Sequence, residues 1–258
     1  CFARTPNDMA ILLDVMKGSD TLDKKSFELN DFFKNQNISL DVFSSYKLGW
    51  LSDMNGKYKY EDGILDICEN TLINLEKLKL KVEFLNPDFD CEALWKSWVT
   101  FRSKGIYEDT LSMNLENIDS MTFQAIWEYN LGSNISDNDL NIALEQKNKC
   151  SQQIDNIFSN YDFLALPSAQ VFPFDKNKQF PEKINNINLD TYHRWLEIFI
   201  LSSLLELPTM TVPVGFSKKG SPMGMQIIAR KKDDLKLFAF AKKYEQVFNY
   251  GQNKPLLN

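Results

Sequence analysis

The chain has 258 residues, 43% hydrophobic and 25% charged, the balance of a water-soluble globular fold with a sizeable core. A net charge of -6, with 35 acidic and 29 basic residues spread along the sequence, offers no concentrated positive field for a phosphate backbone, so nucleic-acid binding is not the default reading. The four cysteines, Cys1, Cys68, Cys91 and Cys150, form no CxxC pair, and the single histidine, His193, excludes two-histidine metal motifs and must serve any Ser-His or Cys-His pair.

Reduced thiols in a cytoplasmic protein are the simplest account of such scattered cysteines. The most apolar run, Trp195 to Pro208, is interrupted by Glu197 and Glu206, well short of the ~18 uninterrupted apolar residues that a membrane span needs. The sequence starts at Cys1 with neither a charged n-region nor an apolar signal core after it, which suggests an internal start.

Thr5-Pro6-Asn7-Asp8 predicts a helix start: Thr5 as cap, Pro6 in the first turn and Asp8 at capping-box spacing, with Gly18 as the stop. Met9, Ala10, Ile11, Leu12, Leu13, Val15 and Met16 make this helix apolar almost all round, so it is expected to be buried between other layers. Residues 20 to 43 are polar and mixed. Tyr46 to Leu51 reads as a short strand, Glu61 to Lys79 as an amphipathic helix and Lys81 to Leu85 as the next strand. Helices are predicted over Glu92 to Arg102 and Met121 to Leu131, with Trp95, Trp98 and Trp127 at core-facing positions.

Ser136 and Asp139 form a second capping-box start, for a long helix running almost to Tyr161. Phe163-Leu-Ala-Leu166, closed by Pro167, has the form of a buried strand ending at a sheet's mouth. A Pro-containing loop to about Leu189 follows, then an apolar helix from Tyr192 to Leu205. Thr209 to Val212 and Met225 to Ala229 read as a strand hairpin around Gly215 and Gly220, and Asp233-Asp234 open a last amphipathic helix through Phe248. Alternating helices and short apolar strands, without a repeat or a linker, predict a layered α/β fold with a mixed β-sheet flanked by helices, in one domain over 1–258.

Leu201 to Phe216, followed by Gly220-Ser-Pro-Met-Gly-Met-Gln-Ile-Ile-Ala-Arg230, resembles the C-terminal region of amidase signature family enzymes. Ala3 to Asp14, Gly63 to Cys68, Asp162 to Ser168, Tyr192 to Glu197 and Asp234 to Glu245 agree with the family in the same order. The resemblance implies a mixed sheet with flanking helices and hydrolysis of a small carboxylic amide to acid plus ammonia or amine, with no metal or organic cofactor. The family's chemistry uses a serine nucleophile, a second serine on a cis peptide and a lysine, with backbone N-H groups of a Gly/Ser-rich loop holding the oxyanion.

In family members that lysine and loop precede the segment matching Ala3-Arg4-Thr5, so no catalytic residue is carried onto this chain. It is expected to be the C-terminal portion of an amidase, inactive without the N-terminal half. The alternatives are a non-catalytic binding or scaffold protein with half the fold, or the amidase subunit of a tRNA-dependent amidotransferase with its partner subunit. A homodimer is compatible with each reading.

Of the candidate residues, Ser44-Ser-Tyr-Lys47 matches a Ser-x-x-Lys spacing, but no supporting motif accompanies it and a solvated turn is favoured. His193 fits a general base by its ordinary pKa of ~6.5, against a pocket wall or a structural hydrogen bond. Tyr192, His193 and Trp195 are the expected substrate-binding residues, with core packing as the competing role for the two larger rings. Arg4 is left unassigned, since an arginine at a helix entrance more often satisfies a carbonyl or carboxylate than it binds substrate. Pro167 and Pro208 are structural punctuation, and the Asn37 and Asn134 sequons matter only in a secreted protein.

Overall fold

A computed structural model describes residues 2–35, 37–113 and 118–252, with the backbone alone at 119; Cys1 lies outside them. Five strands form the main sheet: β1 (Lys47–Trp50), β2 (Lys81–Phe84), β3 (Phe163–Pro167), β6 (Thr209–Phe216) and β7 (Pro222–Ala229). Their order is β2-β1-β3-β7-β6. β1 runs parallel to β2 and β3, while β7 is antiparallel to β3 and to β6, so the sheet is mixed as the sequence predicts.

All five residues of β3 are buried, as expected for an uninterrupted apolar run at the sheet centre. Leu164 lies opposite Gly49 on one side and Ile228 on the other. β6 forms one edge among the described residues and tolerates Pro213 there, where a missing N-H costs little. A bulge between Pro213 and Gly215 shifts its register, and Gly215 supplies the positive φ of 133°.

The helices follow the sequence where amphipathicity and caps agree. They are α1 (Pro6–Met16), α4 (Ile64–Lys77), α5 (Cys91–Ser112), α6 (Phe123–Gly132), α7 (Asp137–Phe158) and α9 (Asp234–Phe248). Ser136 and Asp139 make the full reciprocal capping box of α7, and Thr5 caps α1 by accepting from the Asp8 N-H. α4 and α9 pack against the β6–β7 hairpin, while α5, α6 and α7 form a separate helical layer. The sheet, α4, α9 and the inner faces of α5 and α7 share one large apolar core.

Five expectations change, the last at residues 192–205. α5 continues ten residues beyond Arg102, with Thr110 buried near its end. The polar stretch 20–43 contains two short helices, α2 (Phe32–Asn35) and the start of α3 (Leu40–Ser45); Asp14 accepts the Phe32 and Phe33 N-H groups at 2.7 and 3.0 Å. The long loop holds a small hairpin of β4 (Lys183–Ile184) and β5 (Ile187–Asn188). α1 is not enclosed: Ala10 is buried with Phe32 and Phe238, but Val15 is 80% exposed, because α2 and α9 cover only one face among the described residues.

The predicted helix over 192–205 is instead a 3-10 turn, Arg194–Phe199, followed by the short α8 (Ile200–Leu204). Side chains claim the carbonyls that an α-helical ladder would use. Tyr192 O accepts from the Trp195 indole at 3.1 Å, Ile198 O from Gln226 at 3.2 Å and Phe199 O from Ser202 at 3.1 Å. His193 O then takes the Leu196 N-H in 3-10 spacing.

Candidate functional site

In sheets with parallel strands, ligand sites form just outside the carboxyl ends of those strands. Beyond the end of β3 lies an open groove of about 500 Å³, walled by Val171, Phe172, Phe174 and Trp195 and by Thr211, Pro213, Met223 and Gly224 of the hairpin. Trp195 meets Phe174 edge-on at 5.5 Å. The aromatic walls suit an apolar group, and the Ser168 hydroxyl lies at the groove's base.

Gly224 makes that base possible. A Cβ there would stand 2.7 Å from Ser168 Oγ and 2.8 Å from Thr211 Cγ2. The Ser168 N-H donates to Gly224 O at 2.9 Å, which continues the β3–β7 ladder by one residue.

Two buried glutamines fix the groove's flank. Gln226 on β7 donates to Pro167 O at 3.0 Å and to Ile198 O, tying the end of β3 to the 3-10 turn. Gln170 donates to Lys59 O at 2.9 Å and to Glu197 Oε1 at 3.1 Å. Burial pushes the Glu197 carboxyl up, while Arg194, 3.2 Å away, pulls it back down. Each glutamine keeps its Oε1 buried without a hydrogen-bond partner among the described residues.

The segment from Asp190 to Phe199 sends its side chains in two directions. Trp195 faces the groove, whereas Tyr192 and His193 turn toward the helical layer. His193 is 2% exposed, stacked on Tyr192 at 4.3 Å and surrounded by Trp95, Trp98 and Trp127. Its Nδ1 shares a hydrogen bond with Thr191 Oγ1 at 2.9 Å. Burial pushes its pKa down to about 4, against the opposing pull of Glu128.

Glu128 on α6 is fully buried yet collects several donors. Arg102 Nε and the Tyr192 hydroxyl each reach Oε1 at 2.7 Å, and the Ser103 hydroxyl binds Oε2. His193 Nε2 stands 3.5 Å from Oε1, beyond a good hydrogen bond, and is otherwise unpartnered among the described residues. A buried carboxylate costs several kcal/mol unless so satisfied. The close approach of α5 and α6 that permits this occurs at Gly132, where a Cβ would lie 2.1 Å from Ser103 O.

Arg194 lies 4.1 Å over the Trp95 ring and pairs with Asp190 at 2.6 Å and Glu92 at 3.1 Å. These groups border a second cavity of about 690 Å³, also lined by Lys57, Lys59, Asp88 and Asp90. Lys57 donates to the Phe89 carbonyl at 2.6 Å and stands 3.9 Å from Asp88.

Ser44 sits on α3 and donates to the carbonyls of Leu40 and Leu78 at 2.8 Å, while Lys47 pairs with Glu83 at 3.1 Å, so the Ser-x-x-Lys spacing brings no hydroxyl to an amine. Arg4, left unassigned, reaches Gly251 O at 3.4 Å. Glu128, Gln170 and Gln226 escaped sequence reasoning, because their partners come from segments 25 to 111 residues away. The one local signal for Glu128 is its place between the aromatic residues Trp127 and Tyr129. Cys68, Cys91 and Cys150 are free, and burial pushes the Cys68 and Cys150 thiols up to about 12. Among the described residues, no helix is long and apolar enough to cross a membrane.

A family model described as Amidase matches residues 1–238. An acylamidase from Rhodococcus erythropolis is 24% identical over 260 residues, covering 98% of this chain and 52% of that protein. A glutamyl-tRNA(Gln) amidotransferase subunit from Thermotoga maritima is also 24% identical, covering 97% of this chain and 55% of its own length. Among solved structures, a bacterial aryl acylamidase of the amidase signature family superposes with a TM-score of 0.85 at 19% identity, over 98% of this chain and 55% of that one. A 6-aminohexanoate cyclic dimer hydrolase gives 0.79 at 16% identity, over 99% of this chain and 56% of that one. The chain spans about half the length of the curated relatives it matches. With the family model matched along nearly the whole chain, and the fold shared with solved members, the chain belongs to the amidase signature family.

Proposed function

We propose that residues 1–258 form the substrate-facing C-terminal part of an amidase that cleaves a carboxylic amide with an apolar substituent. The observation that carries this reading is the aromatic groove at the end of β3, in a chain of this family. Trp195, Phe172 and Phe174 hold the apolar part of the substrate and keep water from it.

The nucleophilic serine, its partner serine and the lysine are supplied by polypeptide outside these residues. That polypeptide lies along the outer edge of β6 and the open face of α1, where Ile11, Val15 and Met16 are exposed. Serine attack on the amide carbonyl gives an acyl-enzyme and releases the amine, which takes up a proton; water then adds to the acyl carbon and releases the acid. The 258 residues alone are inactive. Free cysteines accord with a cytoplasmic setting.

The role named for the Thermotoga relative, in a glutamyl-tRNA(Gln) amidotransferase, is the rival reading; the apolar groove favours a stand-alone amidase acting on a bulkier amide. The test is steady-state hydrolysis by the native polypeptide of an N-aryl amide against the primary amide of the same acid. Preference for the aryl amide, lost in W195A, supports the reading. Ammonia release from glutamine that requires a second protein would replace it.

A further inference from the structure

Trp195 sits on a segment with little regular secondary structure, so something must hold it. The 3-10 turn is tied from outside beyond Trp195, where Gln226 reaches Ile198 O and Gln170 reaches Glu197, while the Arg194 pairs on the other side of it involve Asp190 and Glu92 side chains that are 57% and 55% exposed, where water screens them. A second buried connection runs from the N-terminal side of the turn to the helical layer. Glu128 Oε1 accepts the Tyr192 hydroxyl at 2.7 Å, and Tyr192 O in turn accepts the Trp195 indole N-H at 3.1 Å.

A fully buried carboxylate thus stands two hydrogen bonds from the indole that walls the groove. An apolar residue at position 128 would avoid the desolvation cost but would let the segment slide, because packing alone has no direction. The aromatic cage around His193 supplies ring contacts, and the bond to Glu128 ties the Tyr192 hydroxyl to one buried point on α6.

We infer that Glu128, acting through Tyr192, is a positioning residue that sets where Trp195 stands in the groove and so how large an apolar substituent the groove accepts. The selectivity half of this inference rests on the groove being the substrate pocket; the positioning half does not.

The test uses the native polypeptide with two variants that each remove one donor to Glu128. Y192F deletes the hydroxyl on the Trp195 segment and keeps the ring stacked on His193. S103A deletes a hydroxyl on α5 that bonds the other oxygen of Glu128, Oε2, and makes no direct hydrogen bond to that segment among the described residues. Two readouts are taken: the ratio of KM for an N-aryl amide to KM for the primary amide, and acrylamide quenching of Trp195, obtained by difference from the same variants carrying W195F.

Both variants are expected to lower Tm. Only Y192F is expected to raise the KM ratio, by about fivefold, the equivalent of one ordinary hydrogen bond, and to raise quenching of Trp195 with it. If Y192F leaves the quenching unmoved, or S103A moves it equally, the positioning role is overturned while the pocket reading stands. If Y192F moves the quenching and leaves the KM ratio alone, the selectivity claim falls together with the pocket reading.

Discussion

His193 gives the sharpest handle on the helical layer, because its burial makes stability depend on pH in a window set by one ring. In the unfolded chain an imidazole takes a proton near pH 6.5; in the fold its pKa is about 4, chiefly because burial among Trp95, Trp98, Trp127 and Tyr192 penalises the charged form. Above pH 6.5 the ring is neutral in both states and its contribution is at its full value. Between pH 6.5 and 4 the unfolded chain binds a proton that the folded state refuses, so stability falls as pH falls. Below about 4 both states are protonated and the dependence ends.

At about 1.4 kcal/mol per pH unit, the fall from 6.5 to about 4 amounts to roughly 3 kcal/mol. The raised carboxyls of Glu197 and Asp234 act in the opposite direction at acid pH, so the measurement is a difference between proteins. Urea unfolding of the native polypeptide and of H193F, followed by circular dichroism from pH 7.5 to 4, isolates the ring. The variant loses the Thr191 hydrogen bond and is less stable at neutral pH, but its deficit should shrink by about 3 kcal/mol on acidification. Stability profiles that stay parallel between pH 6.5 and 4 would refute the buried neutral ring.

Three substitutions probe the close approaches that hold the site. G132A places a Cβ against the Ser103 carbonyl, which cannot swing away, and should cost about 1–3 kcal/mol or more by denaturant unfolding. G224A crowds Ser168 and Thr211 at the groove's base and should raise KM for the aryl amide; an unchanged KM would separate that floor from substrate binding. L164A empties a fully buried position on the central strand and should lose about 2–5 kcal/mol with m unchanged. A loss below about 1 kcal/mol would mean that β3 is not the centre of the core.

Much of the fold is legible in the residues because local and global signals agree. The run Phe163 to Leu166 is apolar on both faces, and the strand is buried on both. Ser136 and Asp139 announce a helix start, and both halves of the capping box form. The sequence misleads at Tyr192 to Leu205, where helical hydrophobicity is real but Gln226, Ser202 and the Trp195 indole take the carbonyls first.

α1 misleads for a related reason. Its pattern reports what could be buried, while the described residues cover one face. At the candidate site, the sequence offers Trp195 as a large ring on an apolar helix, a pocket wall or a core residue alike; the structure sets it on a 3-10 turn against the groove. The buried polar anchors were not legible, since Glu128 gains its meaning only when Arg102, Ser103 and Tyr192 converge on it.

In the proposed function these residues shape the pocket, and the nucleophile comes from polypeptide outside them. The most direct measurement is reaction of the native polypeptide with an alkyl fluorophosphonate, which phosphonylates an activated serine, followed by peptide mapping by mass spectrometry. One modified serine is expected, in no peptide drawn from residues 1–258, with labelling slowed by an apolar amide that fills the groove. A phosphonyl group on any serine within residues 1–258, Ser44 and Ser168 included, would contradict it.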